Sequence, residues 1–191
     1  MPDLSPLRFD PIFRRYLWGG RKLATELGKP IGEEETCAES WEMCDLPDDQ
    51  TLVAHGPLAG TPLGRIVREH GSELFGQVGP LDKFPLLVKF LDARHPLSVQ
   101  VHPNDDQASR LDPPSFGKTE AWVILDAEAG SLVYAGVKRG FDRHAFEREV
   151  ARGTCELCLA AFEPRPGDCI FLPAGVVHAL GAGLLLAEIQ Q

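Results

Sequence analysis

From residue 85 onward the apolar positions come in short runs, at 86–91, 97–101, 121–125, 131–137, 155–162, 169–172 and 184–189, separated by turn residues. Such spacing, with no helical crossovers between the runs, predicts strands of an antiparallel sandwich or barrel. The exception is 142–152, where Phe146 and Val150 lie one turn apart behind Asp142, which predicts a capped helix. Before residue 85 the pattern is different. The first forty residues form an irregular lead-in with a short helix over 21–27, closed by Gly28, and a strand follows at 38–43. Thr61 is positioned as an N-cap with Pro62 at the first helical position, and Leu63, Ile66, Val67 and His70 keep helical spacing until Gly71. No repeat appears and the Pro and Gly residues are evenly spread, against a linker between two large domains. The organisation expected is a lead-in and helical segment, 1–84, packed on a barrel, 85–191, in one compact unit.

Composition narrows the partners. The chain has 191 residues, 43% hydrophobic and 25% charged, with 19 Lys+Arg against 28 Asp+Glu, a net charge of −9. A chain of this length buries roughly 70% of its unfolded surface and builds a core without disulfide staples. Its acidity argues against nonspecific binding to nucleic acid or anionic membranes. Asp3 and Pro6 interrupt any apolar signal region, which points to the cytoplasm. The apolar stretch 170–187 is broken by Pro173, Gly175, His178, Gly181 and Gly183, and reads as strand, turn, strand. Five cysteines, at 37, 44, 155, 158 and 169, suit reduced thiols, buried or half-buried. Cys155 and Cys158 lack the second close pair of a zinc ribbon, and an extended 155–162 would face them to opposite sides.

Three segments carry residues with metal-site chemistry. In 97–103, LSVQVHP, strand alternation puts Ser98, Gln100 and His102 on one face. In 118–122, KTEAW, Lys118, Glu120 and Trp122 share a face; alone, that pentapeptide reads as an edge-strand ion pair. The third, 167–178, has the pattern G-x5-P-x-G-x2-H, in which Gly175 turns the chain and aims His178 inward. This segment resembles the second signature of the cupin superfamily, with Gln100-x-His102 standing where most cupins carry His-x-His. The fold it implies is mainly β: a cupin-type antiparallel jelly-roll barrel with a few N-terminal helices and one helix in a barrel insertion. Gln100, His102, Glu120 and His178 together form a two-nitrogen, two-oxygen set that suits zinc, with iron or manganese as alternatives.

The likeness reaches further. The segments 86–93 (LLVKFLDA), 97–103, 117–120 with Trp122, 173–180 (PAGVVHAL) and 184–191 (LLLAEIQQ), together with Trp18-Gly-Gly and 38–42 (AESWE), resemble class I mannose-6-phosphate isomerases in order. The resemblance implies one Zn2+ held by Gln100, His102, Glu120 and His178. It implies interconversion of mannose 6-phosphate and fructose 6-phosphate through an enediol, zinc polarising the sugar oxygens. The phosphate is expected at Ser98 and Lys118. Lys89 interrupts an apolar strand, so it either lies beside the substrate or snorkels to the surface. The proton carrier is left among Lys89, Lys118, Glu39, Glu42 and a metal-bound water. His55, His70, His95 and His144 read as structural or solvated, and Asn104-Asp105-Asp106 as a helix cap. Members of the family continue past the Glu-x-Gln-Gln strand into an arginine-bearing segment and a second domain. The expectation is therefore a chain lacking that part, with self-association through the surface it leaves. A catalytically silent sugar-phosphate-binding cupin and an iron-dependent oxygenase are the competing classes.

Overall fold

The structure, a computed structural model, describes residues 6–33 and 36–191; Asp3 lies outside them. Eleven strands are present among the described residues, every pairing antiparallel. In chain order they are β1 (Phe9–Asp10), β2 (Ile12–Arg14), β3 (Glu39–Met43), β4 (Leu52–Val53), β5 (Leu87–Ala93) and β6 (Glu120–Ala127), then β7 (Val133–Val137), β8 (Leu159–Phe162), β9 (Cys169–Leu172), β10 (His178–Leu180) and β11 (Leu184–Gln190). A six-stranded sheet runs β2-β3-β5-β11-β6-β9, a three-stranded sheet runs β10-β7-β8, and β1 pairs with β4. The protein is mainly β. The lead-in contributes β2 and β3 to the large sheet.

Alternation decides what faces inward. Glu120, Trp122 and Ile124 are buried along β6, and the residues between them are only half-buried. Leu91, Ala93, Trp122, Ile124, Leu184 and Leu186 of the large sheet meet Val133 and Leu180 of the small one in the principal core. The opposite face of the large sheet is covered at one end by α1 (Lys22–Thr25), whose Leu23 packs with Ile31, Cys37 and Leu185. Asp92 of β5 fixes that helix by accepting from the Lys22 backbone N–H at 2.6 Å. The loop leading into α1 passes so close to the sheet that a Cβ on Gly19 would lie 2.5 Å from the Ala38 nitrogen. Only glycine fits there, which explains the glycine directly after Trp18.

Several local expectations are met and others are corrected. The helix α4 (Arg143–Arg152) starts behind Asp142, whose carboxylate accepts from the Ala145 N–H, and Asn104 caps α3 (Asp105–Ala108) in a capping box. Thr61, by contrast, is no cap: its carbonyl accepts from Val53 N–H, so its backbone belongs to a turn against β4. The helix α2 (Leu63–Phe75) therefore begins after an extended Pro62, and it continues through Gly71, with a kink at His70, to end at Gly76. Segment 97–101 forms no ladder strand; Pro96 and Pro103 flank it, and one bridge, Gln100 to His178, ties it to β10. Residues 155–158 form a 3₁₀ turn before β8, in which positions three apart eclipse, overturning the opposite-facing reading of Cys155 and Cys158. None of the five cysteines forms a disulfide, and Cys169 is exposed, against the expectation of a buried or half-buried thiol. No helix among the described residues is long and apolar enough to cross a membrane.

Candidate metal centre

His178 begins β10 directly after the Pro173–Val176 turn, where Val176 N–H donates back to the Pro173 carbonyl and Gly175 takes φ +88° at the third position. The turn is stitched to the 97–103 segment by Gly175 N–H donating to the His102 carbonyl. Reciprocal backbone bonds of 2.9 Å join His178 and Gln100. Lys118 N–H donates to the Pro103 carbonyl, which brings the start of β6 to the same place. Thus three segments far apart in sequence deliver His102, Glu120 and His178, whose donor atoms lie within 4.8 Å of one another. Ser98, Gln100, Lys118, Glu120, His178 and Glu188 line one cavity of about 20 Å³, room for a single ion or water.

The electrostatics favour a cation. His178 Nδ1 lies 2.8 Å from the Val176 carbonyl, which only accepts, so Nδ1 carries a proton and Nε2 is the nitrogen turned towards the site. That Nε2 faces Glu120 Oε1 at 2.8 Å, and His102 Nε2 is 3.9 Å from the same oxygen. Burial, then the Lys118 charge, pushes His102 below the usual imidazole range, keeping it neutral and able to ligate. Neither oxygen of the buried Glu120 accepts an aligned hydrogen bond. Potential ligand atoms therefore converge, with spacings of 2.8 and 3.9 Å on either side of the ~3.4 Å between two ligands of a tetrahedral zinc at ~2.1 Å. The interior cluster carries the carboxylates Glu39, Glu120 and Glu188 against the ammonium groups of Lys89 and Lys118, one negative charge in excess. The residues present fit a divalent metal.

Glu120 lies on an interior strand with β11 and β9 on either side, which corrects the edge-strand ion pair. Its oxygen Oε2 touches Lys118 Nζ at 2.5 Å, and Lys118 also reaches His102 Nε2 at 3.3 Å and Glu188 Oε1 at 3.6 Å. Burial alone would raise the Glu120 pKa, but the contacts with His178 and Lys118 outweigh it and hold it at about 2. A carboxylate depressed from 4.5 adds stability above its ordinary pKa and loses it as pH falls towards 2. Thermal melts of metal-stripped protein between pH 5 and about 2 are expected to show that loss, with a flatter profile in Glu120→Gln. A Glu120→Gln profile as steep as wild type would refute this assignment.

Lys89 neither snorkels nor stands alone. It is 8% exposed, 3.0 Å from Glu188 Oε1 and 3.6 Å from Glu39 Oε1. Burial pulls its pKa down, and the two carboxylates more than reverse this. Glu42 faces away and pairs with Lys29 at 2.6 Å. Glu188 was not singled out as a site residue from sequence, although it interrupts the apolar run of β11 just as Lys89 interrupts β5; the two are register partners. Trp122 Nε1–H donates to Glu188 Oε2 at 2.9 Å, and its ring meets His178 edge-on at 5.4 Å.

Fold and site together define a class: an antiparallel β protein built around an interior His–Glu–His constellation able to hold a metal ion. The chain belongs to the type I phosphomannose isomerases. Residues 7–131 match the family model described as phosphomannose isomerase type I, catalytic domain. The chain is 38% identical over 187 residues to mannose-6-phosphate isomerase ManA of Bacillus subtilis, covering 98% of itself and 58% of that protein. It is 34% identical over 187 residues to the mannose-6-phosphate isomerase of Streptococcus mutans, with the same coverage of 98% and 58%. The crystal structure of the mannose 6-phosphate isomerase from Bacillus subtilis superposes with a TM-score of 0.89 at 34% identity, over 98% of this chain and 58% of that one. The chain thus spans 58% of the length of these relatives.

Proposed function

We propose that this chain is a zinc-dependent aldose–ketose isomerase of the cytoplasm, interconverting mannose 6-phosphate and fructose 6-phosphate through an enediol on a cupin-type jelly roll. The observation that carries the reading is the convergence of His102, Glu120 and His178 on one point, around a buried carboxylate, in a chain of this family. His102 Nε2, His178 Nε2 and a Glu120 oxygen would hold the ion, with the Gln100 amide oxygen as fourth ligand from the same cavity. When bound, zinc supplies a Lewis acid for the sugar oxygens at C1 and C2.

The remaining work falls to the chain's own groups. Lys118 borders both the small metal cavity and an adjoining cavity of about 260 Å³, near the lower end for small-molecule pockets. With Glu120 and Glu188 beside it, its Nζ donates hydrogen bonds to sugar oxygens as charge develops on them. The Ser98 hydroxyl, on the same cavity, faces the substrate's phosphate together with Lys118. Lys89 bridges Glu39 and Glu188, and in this reading it holds the charged row in place beside Lys118. Residues 1–84 and 85–191 form one compact unit in this reading, and the phosphorylated hexose is its partner.

The test is a coupled isomerase assay on purified, zinc-replete chain with mannose 6-phosphate, beside an EDTA-treated control. Turnover that EDTA removes and zinc restores is the expected result. Folded, zinc-loaded protein that binds hexose phosphate without turning it over would replace this reading with the silent binding module. Iron in place of zinc would favour the oxygenase class.

A further inference from the structure

We propose that Glu39 is a positioning residue for this site, acting through Lys89 on Glu188 and through Glu188 on Lys118; the catalytic consequence rests on the isomerase reading above. Cross-strand register supplies the geometry. Trp41, Lys89, Glu188 and Trp122 are successive partners across β3, β5, β11 and β6, so they form one row on the interior face. Glu39, two residues before Trp41, sits on that same face.

Both of its oxygens are engaged: Oε2 accepts from Trp41 Nε1–H at 2.5 Å, and Oε1 lies 3.6 Å from Lys89 Nζ. Lys89 is thereby divided between two carboxylates. Glu188 is divided as well, with Oε1 shared between Lys89 at 3.0 Å and Lys118 at 3.6 Å, and Oε2 held by Trp122. Lys118 in turn stands between Glu188 and Glu120. Without the Glu39 charge, Lys89 settles wholly on Glu188 and draws Oε1 from Lys118. Lys118, already 2.5 Å from Glu120 Oε2, then loses its second carboxylate and is held by Glu120 alone, where it competes more strongly for the oxygens directed at the metal position. Glu39 lines neither the metal cavity nor the one adjoining it; its effect travels along alternating charges in a buried, low-dielectric row.

The row contains its own reporters, because the chain has three tryptophans, two of which cap the row. On 15N-labelled chain, Glu39→Gln is expected to move the indole N–H resonances of Trp41 and Trp122 and to leave that of Trp18 in place. Glu42→Gln, on the opposite face, is expected to leave Trp122 unmoved. In the assay, Glu39→Gln is expected to lower kcat about tenfold or more with KM within about twofold, and Glu39→Asp to restore part of it. Glu39→Asp also serves in the NMR experiment should the Gln variant fold poorly. A Trp122 resonance indifferent to Glu39 overturns the proposal, as does an unchanged kcat. A shifted Trp122 in a chain with no wild-type turnover supports the relay and refutes the isomerase reading, so the two failures are distinguishable.

Discussion

Glu120→Ala is expected to strip the chain of its metal, lowering affinity by at least ~100-fold, the upper end of what outer-shell changes alone cost, and to abolish turnover. The expectation rests on three facts. Glu120 is the carboxylate common to the close contacts, 2.8 Å from His178 and 3.9 Å from His102. Its lone pairs accept no aligned hydrogen bond. Its removal also neutralises the interior cluster, leaving Lys118 and Lys89 against Glu188 and Glu39 and removing the excess negative charge that favours a cation. Metal content after dialysis against a weak chelator measures the first effect, and the coupled assay the second. Stoichiometric zinc in a folded Glu120→Ala chain would show that the ion is held elsewhere. His178→Ala is a useful companion, since it leaves the carboxylate in place and removes only the imidazole that the Val176 carbonyl orients.

Lys89→Met is expected to cost about 3–5 kcal/mol of stability, the range for removing one partner of a buried ion pair. Two carboxylates depend on this ammonium, and Glu188 is only 3% exposed. The substitution fills the same volume with an apolar chain, so lost packing is a minor part of the effect. For a chain of this size the loss corresponds to a fall in Tm of roughly 6–20 °C. Adding Glu188→Gln to Lys89→Met is expected to recover part of the loss, because a neutral amide no longer needs a counter-charge. A change below about 1 kcal/mol would mean that water reaches the cluster and screens it as it screens surface pairs.

Particular residues show where sequence reading stops. The Pro173–Val176 turn and the caps at Asp142 and Asn104 were legible because each is a local event, decided within four residues by φ limits and side-chain reach. The Thr61 cap failed because a distant donor, Val53 N–H, had already claimed that backbone. The alternation of β6 identified Glu120 and Trp122 as sharing a face, and the fold set that face inward.

What the sequence by itself determined is the antiparallel β architecture, which residues of a strand share a face, and the set of residues offering metal-site chemistry, since periodicity and turn chemistry are properties of short segments. What only the tertiary structure decided is which of those residues meet. The 97–103 segment reaches His178 by a single bridge, and Lys89 is matched with Glu188 by the β5–β11 register. The charge states follow from that packing as well: Glu120 stays ionised in the interior because Lys118 and His178 arrive beside it. The physical reason is that register and burial are set by the summed packing of all the strands, and electrostatic energy depends on distances that sequence separation does not encode.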